Sequence, residues 1–278
     1  MEPAPVISKI IHISDVHFGR IAAGGVLDAL VAEINDSAPD VVAFSGDLTQ
    51  RARTREFAQA REMIDRIKAP VVVVPGNHDV RAWWHNPIER VFYPDRRFKK
   101  HITEDLTPSF SREGIAVFGI NSAHGLTIKG GRIRSAALDA MVRYFEKQPP
   151  TALRVMVLHH HLLQLRQLGN HDVARGARQA LRMAGHAGVD LILCGHLHAS
   201  HVAHVDVIPP TEADPRGHRL VIATAGTAAS NRWRKHDGQV NFYNRISVQA
   251  DKFIVQERYY DPDPDAFQVE RESIFVRT

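Results

Sequence analysis

Five apolar runs in this sequence end in side chains that can bind a metal ion. Residues 10–13 run into Ser14-Asp15-Val16-His17, residues 41–44 into Ser45-Gly46-Asp47, and residues 71–74 into Pro75-Gly76-Asn77-His78-Asp79. Residues 155–158 end at His159-His160-His161, and residues 191–194 at Gly195-His196-Leu197-His198. Asp, Asn and His supply hard or borderline oxygen and nitrogen donors, which suit Mn, Fe or Zn and differ from a thiolate site. Asp15 with His17, and His196 with His198, stand two residues apart, a spacing that puts both side chains of each pair on one side of an extended segment. Gly46, Gly76 and Gly195 permit tight turns and close backbone approach. Seven such groups would be too many for one four-coordinate ion. They suit two ions about 3.5–4 Å apart that share a carboxylate.

The surrounding pattern explains how such distant residues could meet. Strand-like runs cover 9–13, 41–44, 71–74, 115–120, 153–158 and 189–194. Between them Leu27, Leu30, Val31 and Ile34 recur with helical period, as do Phe57, Met63, Ile64 and Ile67. Leu138, Met141, Val142 and Phe145 repeat it, with Ser135 as the expected N-cap. Short continuous strands alternating with helices predict βαβ units and a largely parallel, buried sheet. In open α/β sheets, ligands bind beyond the carboxyl ends of the strands. After Cys194 the chain changes character, with strands expected at 202–208, 220–225, 242–248 and 253–259 and a more antiparallel arrangement. Pro209-Pro210 and Asp214-Pro215 read as breaks, and Asp261-Pro262-Asp263-Pro264-Asp265 as a turn or loose arm. One domain over residues 1–278 is expected, with the metal motifs in 1–199 and a mainly β portion in 200–278.

Composition narrows the class. At 44% hydrophobic and 24% charged residues the chain is globular, neither collagenous nor largely disordered. No apolar run approaches the roughly 20 residues that cross a bilayer. The start, Met1-Glu-Pro-Ala-Pro, lacks the features of a secretory signal, and the single Cys194 cannot form an internal disulfide. A cytoplasmic location without membrane contact is expected. Lysine and arginine exceed aspartate and glutamate by only 35 to 31, so a nucleic-acid partner is not expected. The densest basic cluster, Arg96-Arg97-Phe98-Lys99-Lys100, reads as a solvated loop.

An Asp-x-His or a Gly-Asn-His-Asp by itself is commonplace. The order Asp-x-His, Gly-Asp, Gly-Asn-His-Asp, His, Gly-His-x-His, each element after its own apolar run, is not. In this it resembles the calcineurin-like metallophosphoesterases, with all five family motifs between Asp15 and His198. The resemblance implies an α/β fold, a four-layer αββα sandwich of two mixed β-sheets flanked by helices, around a dinuclear metal centre. By position Asp15, His17 and His198 would hold one metal, Asn77, His159 and His196 the other, and Asp47 would bridge them. The implied activity is hydrolysis of a phosphate ester by in-line attack of a metal-bound hydroxide, with His78 contacting the phosphate and protonating the leaving oxygen.

Departures from other branches point to a small phosphodiester as substrate. Ser/Thr phosphatases of the family carry Gly-Asp-x-x-Asp-Arg-Gly and Gly-Asn-His-Glu. Here Gln50 stands where their acid would orient the catalytic histidine, and Asp79 ends the third motif, read as a turn-stabilising acid. Lipid A pathway pyrophosphohydrolases have Arg in place of His78. The pattern looks most like bacterial class III cyclic-nucleotide phosphodiesterases and related glycerophosphodiesterases, although Leu162 rather than proline follows the histidines. His159 is the expected fourth-motif ligand because it ends the strand, with His160 the fallback. Arg20, Arg51, Arg53 and Arg81 are candidate anion contacts, His124 a candidate cleft residue, and the segment 231–235 a candidate for the mouth of the site. Trp83 and Trp84 are expected to be buried packing, and Cys194 a small core residue. Competing readings are a promiscuous phosphomonoesterase or phosphotriesterase, a nuclease and a non-catalytic scaffold. A homo-oligomer is compatible with the sequence.

Overall fold

Strands that are apolar on both faces need cover on both. The computed structural model, which describes residues 5–22, 25–126, 130–208, 218–233 and 240–277, provides it in four layers. The first sheet contains β1 (Ser8–Ile13), β2 (Val41–Phe44), β3 (Val71–Val73), β10 (Phe242–Val248), β11 (Lys252–Asp261) and β12 (Ala266–Val276), in the order β12-β11-β10-β1-β2-β3. The second contains β4 (Ser109–Arg112), β5 (Ile115–Gly119), β6 (Leu153–Val157), β7 (Leu191–Cys194), β8 (His201–Ile208) and β9 (His218–Thr224), in the order β4-β5-β6-β7-β9-β8. β1, β2 and β3 are parallel, as are β5, β6, β7 and β9. The remaining strands join antiparallel, so both sheets are mixed.

Alternation along each strand sorts its side chains between two cores. Val41 and Ala43 face Val155, Val157, Leu191 and Leu193 between the sheets, whereas Val42 and Phe44 face helices. On the first sheet's outer face lie α1 (Val26–Ser37), through Leu30 and Ile34, and α2 (Thr54–Arg66), through Phe57 and Met63. The second sheet is covered by α5 (Ser135–Phe145), through Leu138, Met141 and Phe145, and by α6 (Ala177–His186), through Ala177, Ala180 and Ala184. Short helices α3 (Pro87–Phe92) and α4 (Arg96–His101) follow the third motif. Among the described residues no helix is long and apolar enough to cross a membrane.

Several local expectations change. The basic cluster 96–100 is not a loop but α4, because Phe98 is fully buried and anchors it. Ser135 is not the N-cap: Arg134 holds that position with extended backbone, and Ser135 is the first helical residue. Four runs leave the ladder one residue early. Val74, Ile120, Leu158 and Ala225 still donate one bond each, to Phe44, Val157, Leu193 and Cys194, before the chain turns into a loop. The Asp-Pro repeat is the turn of the β11–β12 hairpin, with Asp261 paired to Ala266, rather than a loose arm. Pro209-Pro210, Asp214-Pro215, Lys235 and the first four residues lie outside the described residues.

His12 on β1 is fully buried between the sheets, where its Nε2 donates to Ser45 Oγ (2.9 Å) and its Nδ1 accepts from Asn244 Nδ2 (3.2 Å). Burial lowers its pKa from 6.5 to about 3. The unfolded chain therefore takes up this proton first as pH falls. The contribution is fully present above about pH 6.5 and is lost towards pH 3. At pH 5 this one group costs about 2 kcal/mol. Denaturant unfolding at pH 7 and pH 5 should show His12→Gln losing about 2 kcal/mol less stability than wild type across that interval. Equal losses would contradict the buried neutral imidazole.

Candidate metal centre

The carboxyl ends of β1, β2, β3, β6 and β7 meet at one edge of the sandwich, and the five motif loops meet with them. Their backbones are unusual. Asp15, His17, Asp47, His196 and His198 all occupy the left-handed region, with φ of 55°, 51°, 54°, 74° and 55°. Each such residue costs on the order of 1–3 kcal/mol and persists only where the surroundings enforce it. The enforcement is visible: Asp15 N–H donates to Gly46 O and His17 N–H to Asp47 O, both at 3.0 Å, and His196 N–H to Asp15 Oδ2 at 2.9 Å. The i, i+2 pairs thus converge through left-handed turns rather than through an extended segment. Gly76 and Gly195 admit this crowding, since a Cβ on Gly76 would collide with Asp47 and one on Gly195 with Ser14 and Asp15.

The seven donors form two clusters that meet at Asp47. In the first, Asp15 Oδ1 lies 3.2 Å from His198 Nε2 and 3.5 Å from His17 Nε2, and the two Nε2 atoms are 3.1 Å apart. In the second, Asn77 Oδ1 lies 3.1 Å from His159 Nε2 and 2.9 Å from His196 Nδ1, with these nitrogens 3.3 Å apart. Asp47 Oδ2 reaches both, 3.7 Å from His17 Nε2 and 3.4 Å from His159 Nε2.

Proton placement shows what the clusters are built to accept. Three imidazoles direct Nδ1 at a backbone carbonyl: His17 at Thr49 (3.2 Å), His159 at Ser45 (2.7 Å) and His198 at Arg232. With the proton on Nδ1, each neutral ring turns the lone pair of Nε2 into the cluster. Lone pairs 3.1 Å apart repel unless a cation lies between them. Asp15 Oδ1 is buried without a hydrogen-bond partner among the described residues. Burial holds His17 down to about 4 and His196 to about 3. It would raise both aspartates, but the surrounding imidazoles outweigh it and keep Asp15 and Asp47 well below the usual carboxylate range. For His159 burial is again opposed, chiefly by Asp47, which raises it to about 9. An oxygen and nitrogen cage of imidazoles and carboxylates fits divalent cations, which bind deprotonated ligands and would displace the proton that Asp47 holds on His159.

The neighbours have distinct positions. His78 N–H donates to Asp47 Oδ1 (2.8 Å), its Nδ1 donates to the Gln50 carbonyl (2.8 Å), and its Nε2 accepts from Arg232 Nη1 (2.9 Å). The main chain of Gln50, not a side-chain acid, therefore orients this ring. Asp79 does act as a turn-stabilising acid, accepting from Leu48 N, Gly76 N, Thr49 N and Thr49 Oγ1. Burial, then the Asp47 charge, raises it to about 7. Ser122 Oγ accepts from His160 N and lies 2.9 Å from His160 Nδ1. Among the described residues His160 Nε2 has no hydrogen-bond partner, and it lies near His159 and His196. His161 packs against Cys194, whose thiol burial pushes up to about 12.

A cleft of about 440 Å³ opens over the clusters, lined by Asp47, Asn77, His78, His196 and His198 with Arg232, Trp233, Leu197 and residues 170–172. Arg20, Arg51, Arg53 and Arg81 do not line it. Arg53 caps α2 beside Glu56, and Arg81 pairs with Glu89. His124 is buried outside the lining. The expectation of two buried tryptophans also fails: Trp84 is 67% exposed beneath the Arg51 guanidinium. Of the segment 231–235, Arg232 and Trp233 do reach the mouth. The wall at 170–172 carries no spacing signal that would have revealed it.

Comparison with known proteins agrees with this geometry. Residues 8–200 match the family model described as calcineurin-like phosphoesterase. The chain is 26% identical over 206 residues to the 3',5'-cyclic adenosine monophosphate phosphodiesterase CpdA of Haemophilus influenzae, covering 70% of each chain. It is 33% identical over 81 residues to the glycerophosphodiester phosphodiesterase GpdQ of Enterobacter lignolyticus, a match spanning 26% of this chain and 29% of that one. A dimetal phosphatase from Danio rerio superposes with a TM-score of 0.66 at 10% identity, over 99% of this chain and 100% of that one, a likeness of fold.

Proposed function

The chain belongs to the calcineurin-like phosphoesterase family and is a metal-dependent phosphoric ester hydrolase, and we propose that it hydrolyses small phosphodiesters, cyclic nucleotides among them, at a two-metal centre. The observation that carries this reading is the pair of donor clusters sharing Asp47 at the floor of the cleft. Asp15, His17, Asp47 and His198 would hold one ion; Asp47, Asn77, His159 and His196 the other. The donor set suits Mn, Fe or Zn. When bound, such a pair would neutralise charge on phosphoryl oxygens and acidify water.

The chain's own residues supply the rest. The backbone carbonyls behind His17, His159 and His198 fix the rings. His78, tied to Asp47 through its N–H and to Gln50 through Nδ1, presents Nε2 to the cleft; to act as the acid it would take up a proton there in place of the Arg232 bond and pass it to the leaving oxygen. A positioned general acid contributes about 10²–10⁴-fold. His78→Ala should lose rate in about that range on a diester with a poor leaving group and far less on a nitrophenyl diester. Equal losses on both would remove the role.

The substrate class is tested by assaying metal-loaded protein with cyclic AMP, a glycerophosphodiester, a nitrophenyl diester and its monoester, and single-stranded DNA. Small diesters should turn over fastest. Faster turnover of the monoester would favour a phosphomonoesterase, and faster cleavage of DNA a nuclease; either result overturns the proposal. The names of the relatives support a diester substrate.

A further inference from the structure

We propose that Arg232 grips a non-bridging oxygen of the substrate's phosphoryl group, and that Gln50 keeps the guanidinium charge available for it. The inference rests on the phosphodiester reading above and adds a residue that determines affinity for the anion.

The carbonyl of Arg232 accepts from His198 Nδ1, so its main chain is anchored to the metal cage. Its side chain turns into the cleft beside Asp47, Asn77 and His78. Among the described residues its side-chain hydrogen bonds run through one nitrogen: Nη1 lies 2.9 Å from His78 Nε2, 3.4 Å from His17 Nε2 and 3.5 Å from Gln50 Oε1. All three acceptors are neutral. Among the described residues no carboxylate pairs with Arg232, and its Nε and Nη2 have no protein partner. A guanidinium has five donors in a fixed fork that matches phosphate geometry. Most of that fork faces a cleft whose floor would hold the phosphoryl group.

Gln50 is the second half of the device. A carboxylate there would stand within pairing distance of Nη1 and neutralise it, whereas the amide oxygen accepts a weak bond and leaves the charge uncancelled. An anion entering the cleft then meets a cation that no described carboxylate pairs, already positioned by neighbouring groups.

The test is calorimetric binding of inorganic phosphate to metal-loaded wild type, Arg232→Gln, Gln50→Asp and the double variant. Metal content, melting temperature and KM for a nitrophenyl diester are measured in parallel. A charge-assisted contact of this kind is lost as about a 10–100-fold weakening of phosphate binding in Arg232→Gln, with KM rising by a similar factor. Gln50→Asp should weaken binding about tenfold when Arg232 is present and change little in the Arg232→Gln background. Arg232→Lys, which keeps charge but not the fork, should fall between wild type and Arg232→Gln. Wild-type affinity in Arg232→Gln, or an equal effect of Gln50→Asp in both backgrounds, overturns the inference. The two readings fail separately: a wild type inactive on the diester defeats the phosphodiesterase proposal, whereas an active wild type with unchanged KM in Arg232→Gln defeats this one alone.

Discussion

Asp47→Ala should abolish turnover, lowering kcat by at least about 10³-fold, or about 4 kcal/mol on the barrier. Asp47 Oδ2 lies within 4 Å of a nitrogen in each cluster, His17 Nε2 and His159 Nε2, and its other oxygen holds the His78 backbone N–H. Its loss therefore removes a shared anionic ligand, weakens both ion sites and releases the proton donor together. The fold should survive, because the Asp47 main chain keeps its bond to His17 N–H and the flanking Phe44 and Leu48 remain buried in the helix-side core. Asp47→Asn keeps the shape and an oxygen for His78 but removes the charge. It should retain native circular dichroism with turnover still at least about 10²-fold down. Full activity in either variant, with two metals bound, would refute the shared-carboxylate role.

His159→Ala and His160→Ala should separate sharply although the residues are adjacent. His159 turns a lone pair towards Asn77, His196 and Asp47, with its proton committed to the Ser45 carbonyl. Its removal should lose one metal per chain and at least about 10²-fold in kcat. His160 is instead tied to Ser122 through both its backbone N–H and Nδ1. Removing its ring takes away one of these two buried contacts, costing about 1–3 kcal/mol of stability while both metals stay. Unfolding curves and metal analysis on the two variants would show this. Loss of a metal from His160→Ala alone would exchange their roles.

The fold was legible where strands were apolar on both faces. The parallel strands of both sheets read clearly because burial on both sides leaves no polar alternation to confuse them. The elements that escaped are those whose composition serves an edge or a close packing. β12 carries Glu270, Arg271 and Glu272 along an exposed edge, the charges that protect such a strand from unwanted pairing. α6 packs through Ala177, Ala180 and Ala184, residues too small to stand out as an apolar stripe. β4 is a short polar edge strand. In the site, the seven candidate donors were legible because they follow the ends of five apolar runs. The cleft wall was not, because Arg232 and residues 170–172 come from loops whose path is set by tertiary packing rather than by any local period. Spacing gave the right convergence for Asp15 with His17 and His196 with His198 but the wrong backbone, since crowding at Gly76 and Gly195 forces left-handed turns.

Metal stoichiometry is the most direct measurement. Purified chain is stripped with a chelator, reloaded with Mn, Fe or Zn, freed of excess ion and analysed for metal and protein content alongside activity. Two ions per chain, with activity absent after stripping and restored on reloading, is the expected result. A chain that binds one ion or none, or that hydrolyses diesters undiminished after stripping, would contradict a two-metal cage built on Asp47.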